Sequence, residues 1–314
     1  MRKHLWAICF SVMLVAFTVY FALDTFVLRE SYGSAAEANT AAFSAADSAQ
    51  EQSPRASDSG AAVSATLAAA AANADYADEN VSVTLTEYYE YGTKIYVADV
   101  ALSSAQYLKT AFAENTYGRH ITATTSSIAA ANGAVFAVNG DYYGAQERGY
   151  VIRNGVVYRA SARGADVLCI YADGTMEVVS DADYTAEELV QAGVWQAFTF
   201  GPGLLEDGEI SVGVNDEVGK AMASNPRTAI GLISANHFVF VVSDGRTDES
   251  EGLTLYELAA FLQRLGVTTA YNLDGGGSST MVFNGQVINN PTSGGRIKER
   301  GVSDIVYIAA AVAA

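Results

Sequence analysis

Asn272-Leu273-Asp274-Gly275-Gly276-Gly277-Ser278-Ser279-Thr280 follows an apolar run and packs a carboxylate, a triple glycine and a run of hydroxyl side chains into one loop. Glycines let a ligand approach the backbone, and successive free N–H groups can form an anion-binding concavity. A flexible turn uses the same residue types, so the neighbouring elements have to decide between the two readings. Upstream, His237 to Ser243 is a short run of β-branched and aromatic residues and reads as a buried strand ending at Asp244-Gly245-Arg246. Thr254 stands three residues before Glu257, a capping-box spacing. Leu255, Leu258, Ala259, Leu262 and Leu265 follow at helical intervals up to Gly266. Val267 to Leu273 is a second strand. The order strand, helix, strand predicts a βαβ unit with the two strands as parallel neighbours, which brings Asp244, Arg246 and the Asp274 loop to one sheet edge.

Outward from this unit, Val81 to Tyr88 and Lys94 to Leu102 read as paired strands, and Ser104 to Phe112 and Ile121 to Ala131 as helices. Ala134 to Val138 is an apolar strand delivering Asn139-Gly140-Asp141-Tyr142-Tyr143. Tyrosines beside carboxylates suit a sugar site, whereas Asn-Gly alone also suits a hairpin turn. Val151 to Tyr158 is a hairpin through Asn154-Gly155, Asn284-Gly285 marks another, and Ile305 to Val312 is the final strand. Arg227, at a strand entrance, has the planar fork to grip a phosphate, although a solvated surface role is the default for a single arginine. The expected fold is thus α/β (mixed α+β), a single globular domain whose mixed sheet contains the βαβ unit.

The N-terminal region reads differently. Leu5 to Leu23 carries no charged side chain, follows Arg2 and Lys3, and rises about 28 Å as a helix. It is expected to be an uncleaved single-pass membrane anchor over residues 1–23 with the remainder extracytoplasmic, a secreted protein after signal cleavage being the alternative. Residues 24–79, rich in Ala and Ser with scattered acids, read as a disordered linker. Residues 80–314 form the domain.

The net charge is −17. Removing the +2 of residues 1–23 and the −7 of residues 24–79 leaves −12 on the domain, a balance that argues against nucleic acid, since phosphate backbones need a basic face. The two cysteines, Cys9 and Cys169, lie in different segments, and Cys169 reads as a buried small hydrophobe. His4, His120 and His237 are too scattered for a zinc-type site. No cofactor is required, and a divalent cation, calcium or magnesium, on carboxylates stays open.

Several of these stretches together resemble the phosphodiester glycosidase family, with similarity over roughly residues 130 to 312: Asn139 to Tyr143, Phe200 to Gly203, Arg227 to Ala229, Asp244 to Arg246, Gly252 to Thr254, Asn272 to Thr280, Asn290-Pro291 and Glu299-Arg300. The resemblance implies a hydrolase that breaks a sugar-1-phosphodiester bond in a cell-wall, capsular or exopolysaccharide glycan. The alternative is a module that binds an anionic glycan during envelope polysaccharide assembly without turnover. It implies Asp274, Asp244 and Arg227 as catalytic residues. Asn139, Asp141, Tyr143, Arg246, Asn272, Gly275, Gly276, Gly277, Ser278, Ser279, Thr280, Glu299 and Arg300 are the substrate-binding set. The implied partners are a phosphate-linked glycan and, through the N-terminal helix, the membrane.

Overall fold

A computed structural model describes residues 5–36, 74–217 and 224–310. The expected strand-helix-strand unit is present: the strand His237–Ser243, the helix Leu255–Arg264 and the strand Thr269–Asn272. They belong to an eight-stranded sheet whose spatial order is Glu209–Ile210, Gly203–Glu206, Thr269–Asn272, Thr228–Ser234, His237–Ser243, Thr93–Leu102, Val81–Glu90 and Ala74–Ala77. All neighbours in it are antiparallel.

Parallel neighbours were expected on either side of the helix, and the sheet instead inserts Thr228–Ser234 between them. That strand joins His237–Ser243 by a tight turn containing Asn236 in a left-handed conformation (φ 63°). A hairpin closes a much shorter loop than a helical crossover, and so occupies the slot first. Because both flanking strands run antiparallel to Thr228–Ser234, they still run parallel to each other, and their carboxyl ends still share an edge.

A second sheet, ordered Gln286–Val287, Met281–Phe283, Ala134–Asn139, Asp304–Ala309 and Lys109–Phe112, packs face to face on the first. The Phe136 and Phe240 rings, 5.1 Å apart, lie in that interface. The alternation along His237–Ser243 shows why it is apolar throughout: Phe238, Phe240 and Val242 face the second sheet, whereas Val239 and Val241 join the cluster under the helix Leu255–Arg264. The helix Thr125–Ala131 covers the outer face of the second sheet in the same way. A third, five-stranded sheet centred on Val194–Phe198, with Asp166–Tyr171 beside it, carries the buried Cys169 and the helix Ala186–Gln191. Strand outweighs helix, so the domain is sheet-dominated.

The hairpins at Asn154-Gly155 and Asn284-Gly285 form as expected. Ser104 to Phe112 is not a helix: Ser104 caps a single 3₁₀ turn, and Lys109–Phe112 is drawn out as a strand on Asp304–Ala309. The second expected helix starts only at Thr125, with Thr124 as its cap, because Ala123 is tied to Val302 in a bridge. The final strand ends at Ala309, Ala310 lies beyond it, and the rest of its expected continuation to Val312 lies outside the described residues.

The linker expected over 24–79 also lies largely outside them, but both of its described ends are ordered. Glu30–Ser34 pairs with Thr116–Arg119, and Ala74–Ala77 extends the large sheet. The expectation of a single-pass membrane protein is overturned, since among the described residues no helix is long and apolar enough to cross a membrane.

The capping box at Thr254 is complete, with Thr254 Oγ1 accepting from Glu257 N at 3.1 Å and Glu257 Oε2 accepting from Thr254 N at 2.8 Å. Thr254→Ala should therefore lower stability by about 1 kcal/mol, read as a shift of the urea midpoint at unchanged slope.

Candidate active site

One edge of the sandwich collects the loops that matter. His237–Ser243 and Thr269–Asn272 end there, and Thr228–Ser234 begins there. In the second sheet Ala134–Asn139 ends and Asp304–Ala309 begins at the same edge, with Asn139 opposite Ile305. Asn139, fully buried, knits the two sheets together. Its Nδ2 donates to Asp274 O at 2.6 Å, while its Oδ1 accepts from Thr228 Oγ1 at 2.8 Å and from Thr280 N at 3.2 Å.

A cleft of about 190 Å³ opens beside this knot, lined among others by Asp141, Tyr142, Asp274, Arg300 and His120. Asp274 is 8% exposed, and its Oδ2 accepts from Ser278 Oγ at 2.6 Å and pairs with Arg300 Nη2 at 2.8 Å. Burial raises its carboxyl above the ordinary value, and Arg300 and Ser278 oppose that rise. Arg300 is the more exposed partner and also donates through Nε to Ser278 Oγ at 2.9 Å. The exposed Tyr142 ring offers the cleft an apolar face.

Behind the cleft lies an ionic cluster that the sequence did not reveal. Arg153, 1% exposed, sits between Asp141 (Nη2 to Oδ2, 3.0 Å) and Asp304 (Nε to Oδ2, 2.7 Å). Burial works against its charge, but the two carboxylates outweigh that and hold the guanidinium above its ordinary range. Asp304 is entirely buried; burial raises its carboxyl, and Arg153 offsets part of the rise. Asp141 also accepts from the backbone N–H of Tyr143 at 3.0 Å and of Thr199 at 3.1 Å. Arg153 belongs to the hairpin around Asn154 and Asp304 opens the last strand, so only the packing of the third sheet on the second brings them together.

Among the expected site residues, Asp141, Asp274 and Arg300 come together at the cleft, with Ser278 touching the last two. Tyr143 does not: it is 2% exposed and stacks on Tyr117 at 5.4 Å, leaving Tyr142 as the tyrosine of that pair on the cleft. Asp244 is consumed by the loop it supports, accepting from Asn290 N at 2.8 Å, Asn289 Nδ2 at 3.3 Å, Asn290 Nδ2 at 3.2 Å and Tyr96 Oη at 3.3 Å. Arg227 donates through Nε to Leu253 O at 2.9 Å, and burial pushes its guanidinium down to about 10, with Glu217 opposing. Arg246 forks onto Asn225 Oδ1 at 3.1 and 2.7 Å. None of Asp244, Arg227 and Arg246 lines the cleft.

The glycines answer to the protein's own packing. A Cβ on Gly275 would stand 2.8 Å from Pro226 O, and one on Gly276, itself left-handed at φ 62°, would stand 2.9 Å from Arg246 Nη2. Gly277 accepts from Arg300 N at 3.2 Å, which sets the backbone of Arg300 beside Asp274. Asn272 ties to Gly201 O at 2.8 Å, and Ser279 and Thr280 are buried at the start of the next strand. Glu299 binds the first turn of the helix Thr125–Ala131 through Ser126 N at 3.0 Å. Among the described residues no group of three or more His, Cys, Asp or Glu side chains is placed to hold a metal ion. Arg153 between the buried carboxylates supplies the counter-charge a cation would otherwise bring.

Comparison with known proteins matches residues 132–309 to the family described as phosphodiester glycosidase. The chain is 32% identical over 186 residues to the SPbeta prophage-derived uncharacterized protein YomE of Bacillus subtilis (strain 168), covering 58% of this chain and 28% of YomE. It is 44% identical over 66 residues to the N-acetylglucosamine-1-phosphodiester alpha-N-acetylglucosaminidase of Mus musculus, 21% of this chain and 13% of that protein. The match thus spans less than a third of either relative's length. Among solved structures, the catalytic domain of the zebrafish N-acetylglucosamine-1-phosphodiester alpha-N-acetylglucosaminidase, auto-inhibited by its pro-peptide, superposes with a TM-score of 0.58 at 21% identity, over 73% of this chain and 83% of that one. At that identity the likeness is one of fold.

Proposed function

The chain belongs to the phosphodiester glycosidase family, and from that premise we propose that it is a hydrolase cleaving the sugar C1–O bond of a phosphate-linked glycan in the cleft around Asp274. The observation that carries the reading is a buried carboxylate, oriented by Ser278 and Arg300, lining the same cleft as Asp141 and the exposed Tyr142. Phosphate is already a weak base as a leaving group, so the site has less need of a strong general acid than an ordinary glycosidase has. It needs a carboxylate for water, and charge stabilisation on the phosphate.

In this mechanism Asp274 takes a proton from a water whose oxygen bonds to C1, while the C1–O electron pair leaves with the phosphate. The products are a free sugar and a phosphate monoester, and the proton on Asp274 returns to solvent. Asp141, braced by Arg153, binds sugar hydroxyls, and the Tyr142 ring packs on the apolar face of the pyranose. The mouse relative's name supports the type of bond. A cell-wall, capsular or exopolysaccharide polymer is the proposed source of the diester.

The test is a screen of the protein against sugar-1-phosphodiesters, scoring release of reducing sugar. Binding without release across the panel would sink the hydrolase and leave a non-catalytic anionic-glycan-binding module. Tyr142→Ala should raise KM roughly three- to tenfold with kcat little changed, the worth of one ring face against a sugar. An unchanged KM would remove Tyr142 from the sugar site.

A further inference from the structure

The reaction proposed above leaves its phosphate under-provided for. The domain carries a net charge of −12 once residues 1–79 are set aside, and Asp141 and Asp274 add their own charges to the cleft. Arg300 is already engaged by Asp274 and Ser278. The remaining cleft-lining side chain with a nitrogen to offer an anion is His120.

His120 follows the strand Thr116–Arg119 in a left-handed backbone conformation (φ 57°), and its N–H donates to Gly144 O at 3.0 Å. That bond fastens it to the turn that also presents Asp141 and Tyr142 to the cleft. Its Nε2 is buried and has no hydrogen-bond partner within the protein. Buried polar atoms are nearly always satisfied, so an exception at the wall of a cleft points to a ligand.

We infer that His120 is a substrate-contacting residue that donates from Nε2–H to a non-bridging oxygen of the phosphodiester, in the cleft it lines together with Tyr142. This deepens the reading of the same cleft and rests on it for the reaction, but not for the binding of phosphate. As the C1–O bond breaks, its electron pair moves onto the phosphate. A hydrogen-bond donor at the cleft wall stabilises that growing charge.

The test uses the full chain and inorganic phosphate as the probe, which requires no knowledge of the sugar. His120→Asn is the informative variant, because Asn tolerates a left-handed backbone and is too short to reach the position of Nε2. Titration calorimetry should show phosphate affinity falling roughly ten- to hundredfold, the worth of a hydrogen bond to a charged oxygen, with an unchanged melting temperature. Turnover of a sugar-1-phosphodiester should fall in step, and His120→Gln, which restores a donor at longer reach, should recover part of both. Undiminished phosphate affinity in folded His120→Asn, or in His120→Gly should the Asn variant not fold, overturns the inference. Loss of phosphate affinity in a protein that turns over no sugar-1-phosphodiester upholds His120 as the phosphate donor and sinks the hydrolase alone.

Discussion

Asp274→Asn should lower turnover of a sugar-1-phosphodiester by about two orders of magnitude or more and leave the fold intact. The side chain keeps its size, and Asn can still accept from Ser278. Arg300, the partner that loses its counter-ion, is 41% exposed and remains hydrated, so the stability change should be small. A wholly structural loop would behave in the opposite way, with residual activity tracking the folded fraction. Full activity in a well-folded variant would move the assignment to Asp141, the other carboxylate lining the cleft.

The pH dependence follows from the direction of the shift. Burial raises the Asp274 carboxyl, with Arg300 and Ser278 holding it back. The ionised base is therefore lost at a pH above that of an ordinary aspartate, and the acid limb of kcat/KM should be displaced upward. The stability term has the matching sign: a raised folded pKa contributes stability below the unfolded value that is lost as pH rises through the folded one.

The second large effect is on the fold. Arg153→Met should destabilise the domain by about 3–5 kcal/mol, because it strands two buried carboxylates without a counter-charge. The Met side chain fills much of the same volume, so the loss is electrostatic more than steric. Denaturant melts at pH 5 and pH 8 provide the check. The carboxyl of Asp304 is already raised by burial and rises further without Arg153, so acidification neutralises it and the penalty should be smaller at pH 5. Equal losses at both pH values would assign the effect to packing against Phe198, whose ring lies 4.1 Å from the guanidinium carbon.

The local elements were legible because their causes are local. A capping box, helical spacing, Asn-Gly turns and an apolar β-branched run each act within a few residues, and each produced the expected element at Thr254, Leu255–Arg264, Asn154-Gly155 and His237–Ser243. The same logic failed where a distant partner decided. Lys109–Phe112 is a strand because Asp304–Ala309 lies beside it, and Thr228–Ser234 took the slot expected for Thr269–Asn272.

At the site, the sequence by itself determined that Asp141 and Asp274 stand at strand ends, since apolar runs terminate in front of each. The resemblance added Arg300. Only the tertiary structure decided that Tyr142 rather than its neighbour lines the cleft, that Asp244 is spent holding Asn289 and Asn290, and that Arg153 lies between Asp141 and Asp304. The physical reason is that an ion pair carries no periodicity. Residues 151 positions apart become neighbours through sheet packing, and desolvation, the largest influence on the buried carboxylates, is a property of everything packed around them.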